Sequence, residues 1–209
     1  MRYYIADLHF HHDSLNQNMD CRGFENGEAM NEYMIQRWNS KVRPQDEVVI
    51  LGDFSISANG EEVNKVLRRL QGKKYLVKGN HDRYLDSRRF DSSLFLWIED
   101  YKEMHDNKRK VVLSHYPMLC YNGQYRRNAK GESETYMLYG HVHDTLDEKL
   151  IHSFQKQMRE CKRMVLGAEE PLPIPCQMIN CFCMFSDYTP LSLDEWIEAD
   201  RQRRSRLSD

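Results

Sequence analysis

The stretch KKYLVKGNHDRYL (residues 73–85) places an apolar, strand-like run directly before Gly79, Asn80, His81 and Asp82. A turn at the end of a strand needs a glycine and, at most, an asparagine. Because the histidine and the aspartate are not needed to turn the chain, they are either incidental or part of a functional site.

Other strand-like runs surround this stretch, each short and rich in Val, Ile, Leu or Tyr. With residues 74–78 they are residues 2–6, 47–51, 110–114 and 136–139. Apolar positions at helical spacing predict three amphipathic helices between and after the strands. Their core positions are Met30, Met34 and Trp38; Val63, Val66, Leu67 and Leu70; and Leu146, Leu150, Ile151, Phe154 and Met158.

The last part of the chain predicts one more strand and a helix end. QMINCFCMF (residues 177–185) reads as an apolar strand on which Cys181 and Cys183 share a buried face. The basic tail, residues 201–209, reads as a solvated helix end. The alternation of strands and helices predicts an α/β layered sandwich, with helices covering mixed sheets, as one domain over residues 1–209.

Composition argues against several classes of partner. Lys plus Arg number 30 against 32 Asp plus Glu, and the formal net charge of -2 gives no global field for nucleic acid or an anionic membrane. The opening MRYYIADLHFHHD has no signal-peptide pattern, and no run is long enough to span a bilayer. We therefore expect a cytoplasmic protein without membrane or nucleic-acid partners. Its 6 cysteines form no CxxC pair, so we expect free thiols.

Potential metal ligands or polar partners follow every one of the first five strands. In chain order they are Asp7 and His9; Asp53; Asn80, His81 and Asp82; His115; and His141 and His143. In an α/β fold the loops at the carboxyl ends of the strands share one rim. Residues far apart in the sequence are therefore predicted to meet there.

The order of these motifs, DxH, GD, GNHD, H and GHxH, resembles the calcineurin-like metallophosphoesterases, in particular the small single-domain bacterial or phage type. The resemblance covers about two thirds of the chain. It implies an αββα sandwich of two mixed sheets flanked by helices, and a binuclear metal site. By the same resemblance Asp53 bridges two metals, of which one is bound by Asp7, His9 and His143 and the other by Asn80, His115 and His141.

The ligand types indicate the metals and the substrate. Carboxylate, imidazole and amide ligands without cysteine suit Mn first, with Fe or Zn as alternatives. Two divalent ions, two carboxylates and a bridging hydroxide leave a net positive charge, which favours a phosphate ester. The resemblance implies that the metal-bridging hydroxide is the nucleophile, that His81 is the general acid, and that Asp82 hydrogen-bonds the second ring nitrogen of His81.

Several loop residues are candidates for binding the substrate. Asn80 is expected to bind the phosphate through its amide, and His12 to reach over the metals or to bond locally. Three loop arginines could bind phosphate or be solvated: Arg22, Arg126 and Arg127. The tyrosines of residues 116–135 either stack on a nucleotide base or pack their own loop.

Three functions follow from these observations. The leading hypothesis is a metal-dependent hydrolase of phosphomonoesters or small phosphodiesters, including nucleotides. A metal-free interaction scaffold of the same fold and a nuclease are the alternatives. Gly52, Gly79 and Gly140 adjoin ligand positions, and we expect them to permit unusual backbone angles or close approach to the site.

Overall fold

The computed structural model describes residues 1–165 and 167–206. The strands are β1 Arg2–Ile5, β2 Glu47–Ile50, β3 Lys73–Val77, β4 Ile98–Glu99, β5 Tyr101–Asp106, β6 Arg109–Ser114, β7 Thr135–Tyr139, β8 Lys162–Arg163, β9 Leu172–Pro173 and β10 Met178–Asn180. The α-helices are α1 Gly27–Lys41, α2 Gly60–Arg69, α3 Leu146–Glu160 and α4 Leu193–Arg206. The first five predicted strands therefore correspond to β1, β2, β3, β6 and β7.

Two sheets carry the fold among the described residues. The first has the order β1-β2-β3-β4 and pairs in parallel throughout. The second has the order β10-β7-β6-β5, parallel except that β5 runs antiparallel to β6. An antiparallel bridge also joins Tyr4 of β1 to Leu191. The predicted α/β fold with mixed sheets is confirmed, although the four named strands of the first sheet are all parallel.

Successive side chains of a strand point to opposite faces, so each sheet contributes to two apolar layers. One layer lies between the first sheet and helices α1 and α2, a second lies between the two sheets, and a third lies between the second sheet and α3. Members of the three layers are, in that order, Ile5, Trp38 and Leu67; Tyr4, Val49 and Leu138; and Val112, Met137 and Phe154. The chain is thus an αββα sandwich.

The predicted strand over residues 177–185 is wrong beyond Asn180. The Cys181 N–H donates to the Tyr139 carbonyl in the second sheet at 2.8 Å, whereas the Cys183 N–H donates to the Ala6 carbonyl beside the first sheet at 3.0 Å. The chain therefore crosses between the sheets and then forms a 3-10 helix, Cys183–Ser186. The two cysteines are both buried but do not share a strand face.

Helix α3 also differs from its prediction. Leu146 and Leu150 were expected in the core, but 69% and 58% of their surface is exposed. Ile151, Phe154 and Met158 pack against the second sheet as expected. The apolar stripe therefore contacts the sheet only from the second turn of the helix onward.

The basic tail is less solvated than its composition predicts. The Arg203 guanidinium lies 2.6 Å from the buried carboxylate of Glu148. Residues 207–209 of the predicted tail lie outside the described residues. All six cysteines are free thiols, as expected. No helix in the described ranges is long and apolar enough to cross a membrane.

Candidate metal centre

Two sets of ligand-type side chains lie at the carboxyl ends of the central strands. The ligand atoms of each set lie within 4.8 Å of one another. The first set is Asp7, His9 and His143, and the second is Asp53, His115 and His141. The parallel register of β1 with β2, and of β6 with β7, brings these strand ends to a common edge. The convergence that the sequence predicts is therefore present.

Asn80 joins the second set. Its Oδ1 atom lies 3.0 Å from Nε2 of His115 and 2.9 Å from Nδ1 of His141. An amide oxygen is a suitable ligand for a divalent cation. All seven residues predicted as ligands are thus close together.

The Asp53 carboxylate of the second set also faces the first set. Its Oδ2 atom is 3.4 Å from Nε2 of His9 and 3.5 Å from Nε2 of His115. Its other oxygen accepts the backbone N–H of His81 at 2.8 Å. One carboxylate oxygen therefore faces ligands of both sets.

The hydrogen bonds of the imidazoles determine which nitrogens face the centre. Nδ1 of His115 lies 2.8 Å from the Leu51 carbonyl, which can only accept, so Nδ1 carries a proton. Nδ1 of His143 lies 2.7 Å from a carboxylate oxygen of Asp20. Both residues therefore point Nε2 into the space between the carboxylates, as metal-binding histidines do. This donor set fits a pair of divalent cations.

The charges at the site favour cations. Although burial opposes its protonation, the hydrogen bond to Asp53 and the charge of Asp7 raise the pKa of His115 to about 9. Burial also opposes ionisation of Asp53, but the hydrogen bond and charge of His115 lower the pKa of Asp53 to about 2. At His115 the attraction of the carboxylates thus outweighs the desolvation of the imidazole, whereas burial lowers the pKa of His9 well below its usual value in spite of the Asp53 charge.

The backbone is strained at most of the ligands. Five of them have a positive φ: Asp7 (56°), His9 (52°), Asp53 (51°), His141 (72°) and His143 (48°). Residues other than glycine adopt this left-handed conformation at a cost of roughly 1–3 kcal/mol each, and such strain collects at functional sites. The sequence carries no signal of this strain, because aspartate and histidine occur in every conformation.

The glycines next to the ligands are required by close approach, as expected. A Cβ atom on Gly79 would lie 2.2 Å from Oδ1 of Asp53, and one on Gly52 would lie 2.3 Å from Nδ1 of His115. Gly52 also has a φ of +88°. Each glycine therefore makes room for a ligand that comes from a different strand.

The predicted His81–Asp82 hydrogen bond is wrong. The Asp82 carboxylate accepts three backbone N–H groups instead, from Asp53 (3.1 Å), Phe54 (2.8 Å) and Gly79 (2.8 Å). Nδ1 of His81 is buried and has no hydrogen-bond partner among the described residues. The three N–H groups orient the Asp82 carboxylate toward the backbone and away from His81. Asp82 therefore connects the turns that follow β2 and β3 through hydrogen bonds.

His81 itself lies at the edge of the centre. Its ring centroid is 5.2 Å from that of His9, and its side chain is partly exposed. His12 lies nearby, with Nδ1 3.3 Å from Nδ1 of the candidate ligand His9. His11 instead lies 3.1 Å from the Ser55 hydroxyl.

The structure contradicts the substrate role predicted for Arg22. Its guanidinium is buried and donates to the carbonyls of Asp7 at 3.0 Å and Leu8 at 2.7 Å. It also lies 2.9 Å from the Asp20 carboxylate. All of these contacts lie behind the ligands, so Arg22 does not face a substrate. The sequence did not indicate that Asp20 contacts a candidate ligand, because an aspartate in a polar loop has the same local pattern whether it is solvated or buried.

Arg126 and Arg127 do not border the centre either. The Arg126 carbonyl accepts the N–H of Glu134, just before β7 begins. The Arg127 guanidinium donates to the Gly131 and Pro173 carbonyls at 2.6 and 2.7 Å. Both residues therefore lie at the amino end of β7, whereas the ligands follow its carboxyl end. The long loop folds back along the sheet instead of covering the ligands.

The tyrosines of that loop differ in their environment. Tyr121 is buried in the third apolar layer, and Tyr125 lies under the Arg163 guanidinium. Tyr116 is 49% exposed, and its ring centroid lies 4.5 Å from that of His141. Of these three, only Tyr116 offers a stacking surface beside the candidate metal centre.

Comparisons with known proteins agree with this arrangement. A family model described as a calcineurin-like phosphoesterase superfamily domain matches residues 3–164. The chain is 31% identical over 148 residues to the uncharacterized protein MJ1445 of Methanocaldococcus jannaschii, covering 70% of this chain and 72% of that protein. It is 26% identical over 162 residues to the Gene 66 protein of Mycobacterium phage D29, covering 69% and 79%.

Among solved structures, the protein of unknown function AQ665 from Aquifex aeolicus is similar with a TM-score of 0.61 and 24% identity. The match covers 93% of this chain and 96% of that one. This likeness concerns the fold alone.

Proposed function

Because the chain belongs to the calcineurin-like phosphoesterase superfamily, we propose that it hydrolyses phosphate esters with two divalent metal ions. The observation that carries the proposal is the position of Oδ2 of Asp53, 3.4 Å from Nε2 of His9 and 3.5 Å from Nε2 of His115. A carboxylate shared by two donor sets is what a pair of metal ions needs in order to act on one phosphoryl group.

The ligands divide between two positions. Asp7, His9 and His143 would hold the first metal, Asn80, His115 and His141 would hold the second, and Asp53 would be shared. The mixture of oxygen and nitrogen ligands suits Mn, with Fe or Zn as alternatives. The bound ions would supply an activated water as nucleophile and stabilise the negative charge that develops on the phosphoryl group.

The residues around the metals bind the substrate and move protons. His81 stays the general acid of the proposal, because its backbone N–H donates to Asp53 and its partly exposed ring lies edge-on to the His9 ring, with centroids 5.2 Å apart. A ring in this position can donate a proton to the leaving oxygen of an ester bound at the metals. The exposed amide of Asn80 is placed to donate to a phosphate oxygen.

The proposed substrates are small phosphomonoesters and phosphodiesters. Tyr116, half-exposed beside His141, favours substrates whose leaving alcohol carries a flat group, such as a nucleoside that leaves through its sugar hydroxyl. The seven converging ligands argue against a metal-free scaffold, and the net charge of -2 argues against a nuclease.

The test is an assay of purified protein with MnCl2. The substrates are p-nitrophenyl phosphate, bis-p-nitrophenyl phosphate and a panel of mononucleotides, cyclic nucleotides and dinucleotide polyphosphates. Asp53→Asn should lower turnover by about 100-fold or more, since it weakens both metal positions.

Asp46→Asn is the matched control for this assay. Asp46 is a buried carboxylate whose partners, the terminal amine and the Arg43 N–H, lie at the amino end of β2. This variant should keep wild-type turnover. The proposal fails when no phosphate ester in the panel shows metal-dependent hydrolysis.

A further inference from the structure

The most unusual feature outside the five motifs is a buried ion pair, the Asp20–Arg22 pair. Oδ2 of Asp20 lies 2.9 Å from both Nε and Nη2 of Arg22. The exposed fractions of the two side chains are 2% and 0%. Burying two charges costs free energy that their attraction rarely repays, so such a pair is weak support for a purely stabilising role.

The pair contacts two residues of the first ligand set, His143 and Asp7, and the residue that precedes the third. The other oxygen of Asp20, Oδ1, lies 2.7 Å from Nδ1 of His143. The two Nη atoms of Arg22 donate to the carbonyls of Asp7 and of Leu8, the residue that precedes His9. One ion pair thus touches the His143 ring and the backbone that carries the other two ligands.

Each of these contacts has a defined effect on a ligand. A carboxylate at Nδ1 keeps the proton of His143 on that nitrogen and leaves Nε2 as the ligand atom. The backbone at Asp7 and His9 is left-handed, with φ values of 56° and 52°. Two donors from a rigid guanidinium to the carbonyls between these strained residues hold them in place.

We propose that Asp20 and Arg22 are positioning residues for the first metal and not for the second. This inference rests on the proposed function, because it assigns a role toward the metals of that site. The second set is held differently. His115 is oriented by a backbone carbonyl, that of Leu51, and His141 is exposed. Loss of the pair should therefore weaken one metal position selectively.

The experiment measures Mn binding directly, by calorimetric titration of metal-free protein and by metal content after gel filtration. Asp20→Asn keeps the size of the side chain and removes its charge. Arg22→Met removes the donors to the carbonyls. We expect the wild type to bind two Mn ions and each variant to bind one with unchanged affinity and the other roughly 10- to 100-fold more weakly.

Asp46→Asn, which removes a buried charge at the opposite edge of the first sheet, should bind both ions as the wild type does. Electron paramagnetic resonance adds a readout that a general loss of stability does not move. With two equivalents of Mn, at a concentration between the two dissociation constants expected for the variant, the wild type should give the spectrum of a coupled pair and Asp20→Asn that of isolated ions. If Arg22→Met does not fold, Mn binding by the milder variant Asp20→Asn tests the proposal by itself.

The outcomes separate this inference from the proposed function. A wild type that binds no Mn overturns both. A wild type with two ions and an Asp20→Asn variant with two equally tight ions overturns the positioning role and leaves the proposed function standing. Equal weakening of both ions in Asp20→Asn also overturns the inference, because it contradicts the selectivity for the first metal.

Discussion

The Nε2 atoms of His9 and His143 lie 3.2 Å apart, although 134 residues separate them in the chain. His9 follows a strand of the first sheet, and His143 follows a strand of the second. The segment after β10 joins the sheets at this edge, since the Ala6 N–H donates to the Cys181 carbonyl at 2.8 Å. The first metal position therefore exists only when the two sheets are packed together.

It follows that metal binding should stabilise the fold. A ligand that binds only the folded state at one hundred times its dissociation constant adds about 2.7 kcal/mol. For a chain of this size we expect Mn to raise the melting temperature by roughly 5–10 °C. Thermal unfolding with Mn and then with excess chelator measures the shift, and Asp53→Asn is the variant that should lose most of it. An identical melting temperature under both conditions contradicts the coupling.

Asp82 should be required for stability because its carboxylate accepts three backbone N–H groups. Asp82→Ala leaves those buried donors without a partner and should lower the free energy of unfolding by about 3–5 kcal/mol. Asp82→Asn keeps one oxygen and should cost less. Urea unfolding of both variants measures the difference. Wild-type stability in Asp82→Ala would show that the three N–H groups find other partners.

His81 should matter most for esters with poor leaving groups, because a general acid assists the departure of a basic oxygen. We expect His81→Gln to slow hydrolysis of an alkyl phosphate by roughly 100-fold or more, and that of p-nitrophenyl phosphate far less. Rates for a series of leaving groups, with Mn content measured in parallel, test this. Equal losses across the series would assign His81 to substrate binding instead.

Gly79 should not tolerate a methyl group, because a Cβ atom would lie 2.2 Å from Oδ1 and 2.3 Å from the backbone nitrogen of Asp53. Gly79→Ala should displace the shared carboxylate, and we expect both Mn ions and turnover to be lost. Gly131→Ala is the matched control, since nothing lies within 4 Å of its Cβ position. Its positive φ should cost about 1 kcal/mol of stability without changing activity. Turnover and Mn titration of both variants distinguish the two effects, and retained Mn binding in Gly79→Ala would contradict the steric argument.

The five strand ends and the candidate ligands that follow them could be predicted from the sequence. Apolar runs of four or five residues followed by glycine and polar residues are local features, and parallel strands place their carboxyl ends at one edge. The order of the motifs then indicated the family. Strand β5, with the sequence YKEMHD, was not predicted because this partly buried edge strand lacks an apolar alternation.

The partners of the polar side chains could not be predicted in the same way. Asp82 follows His81 directly, yet its carboxylate bonds to the turn after β2. Arg22 and Asp20 carry no motif, and Arg126 and Arg127 lie at the opposite edge of the sheet. Charged loop residues have the same local signature whether they are solvated, paired or buried.

The sequence by itself determined which side chains of ligand type follow the strands and on which edge of the sheets they lie, because strand periodicity and side-chain chemistry are local properties. Only the tertiary structure decided the distances between ligands, their left-handed backbone and the hydrogen bonds that orient them. These depend on how the two sheets pack and on which buried donor pairs with which acceptor. Some of the residues involved are more than a hundred positions apart in the chain.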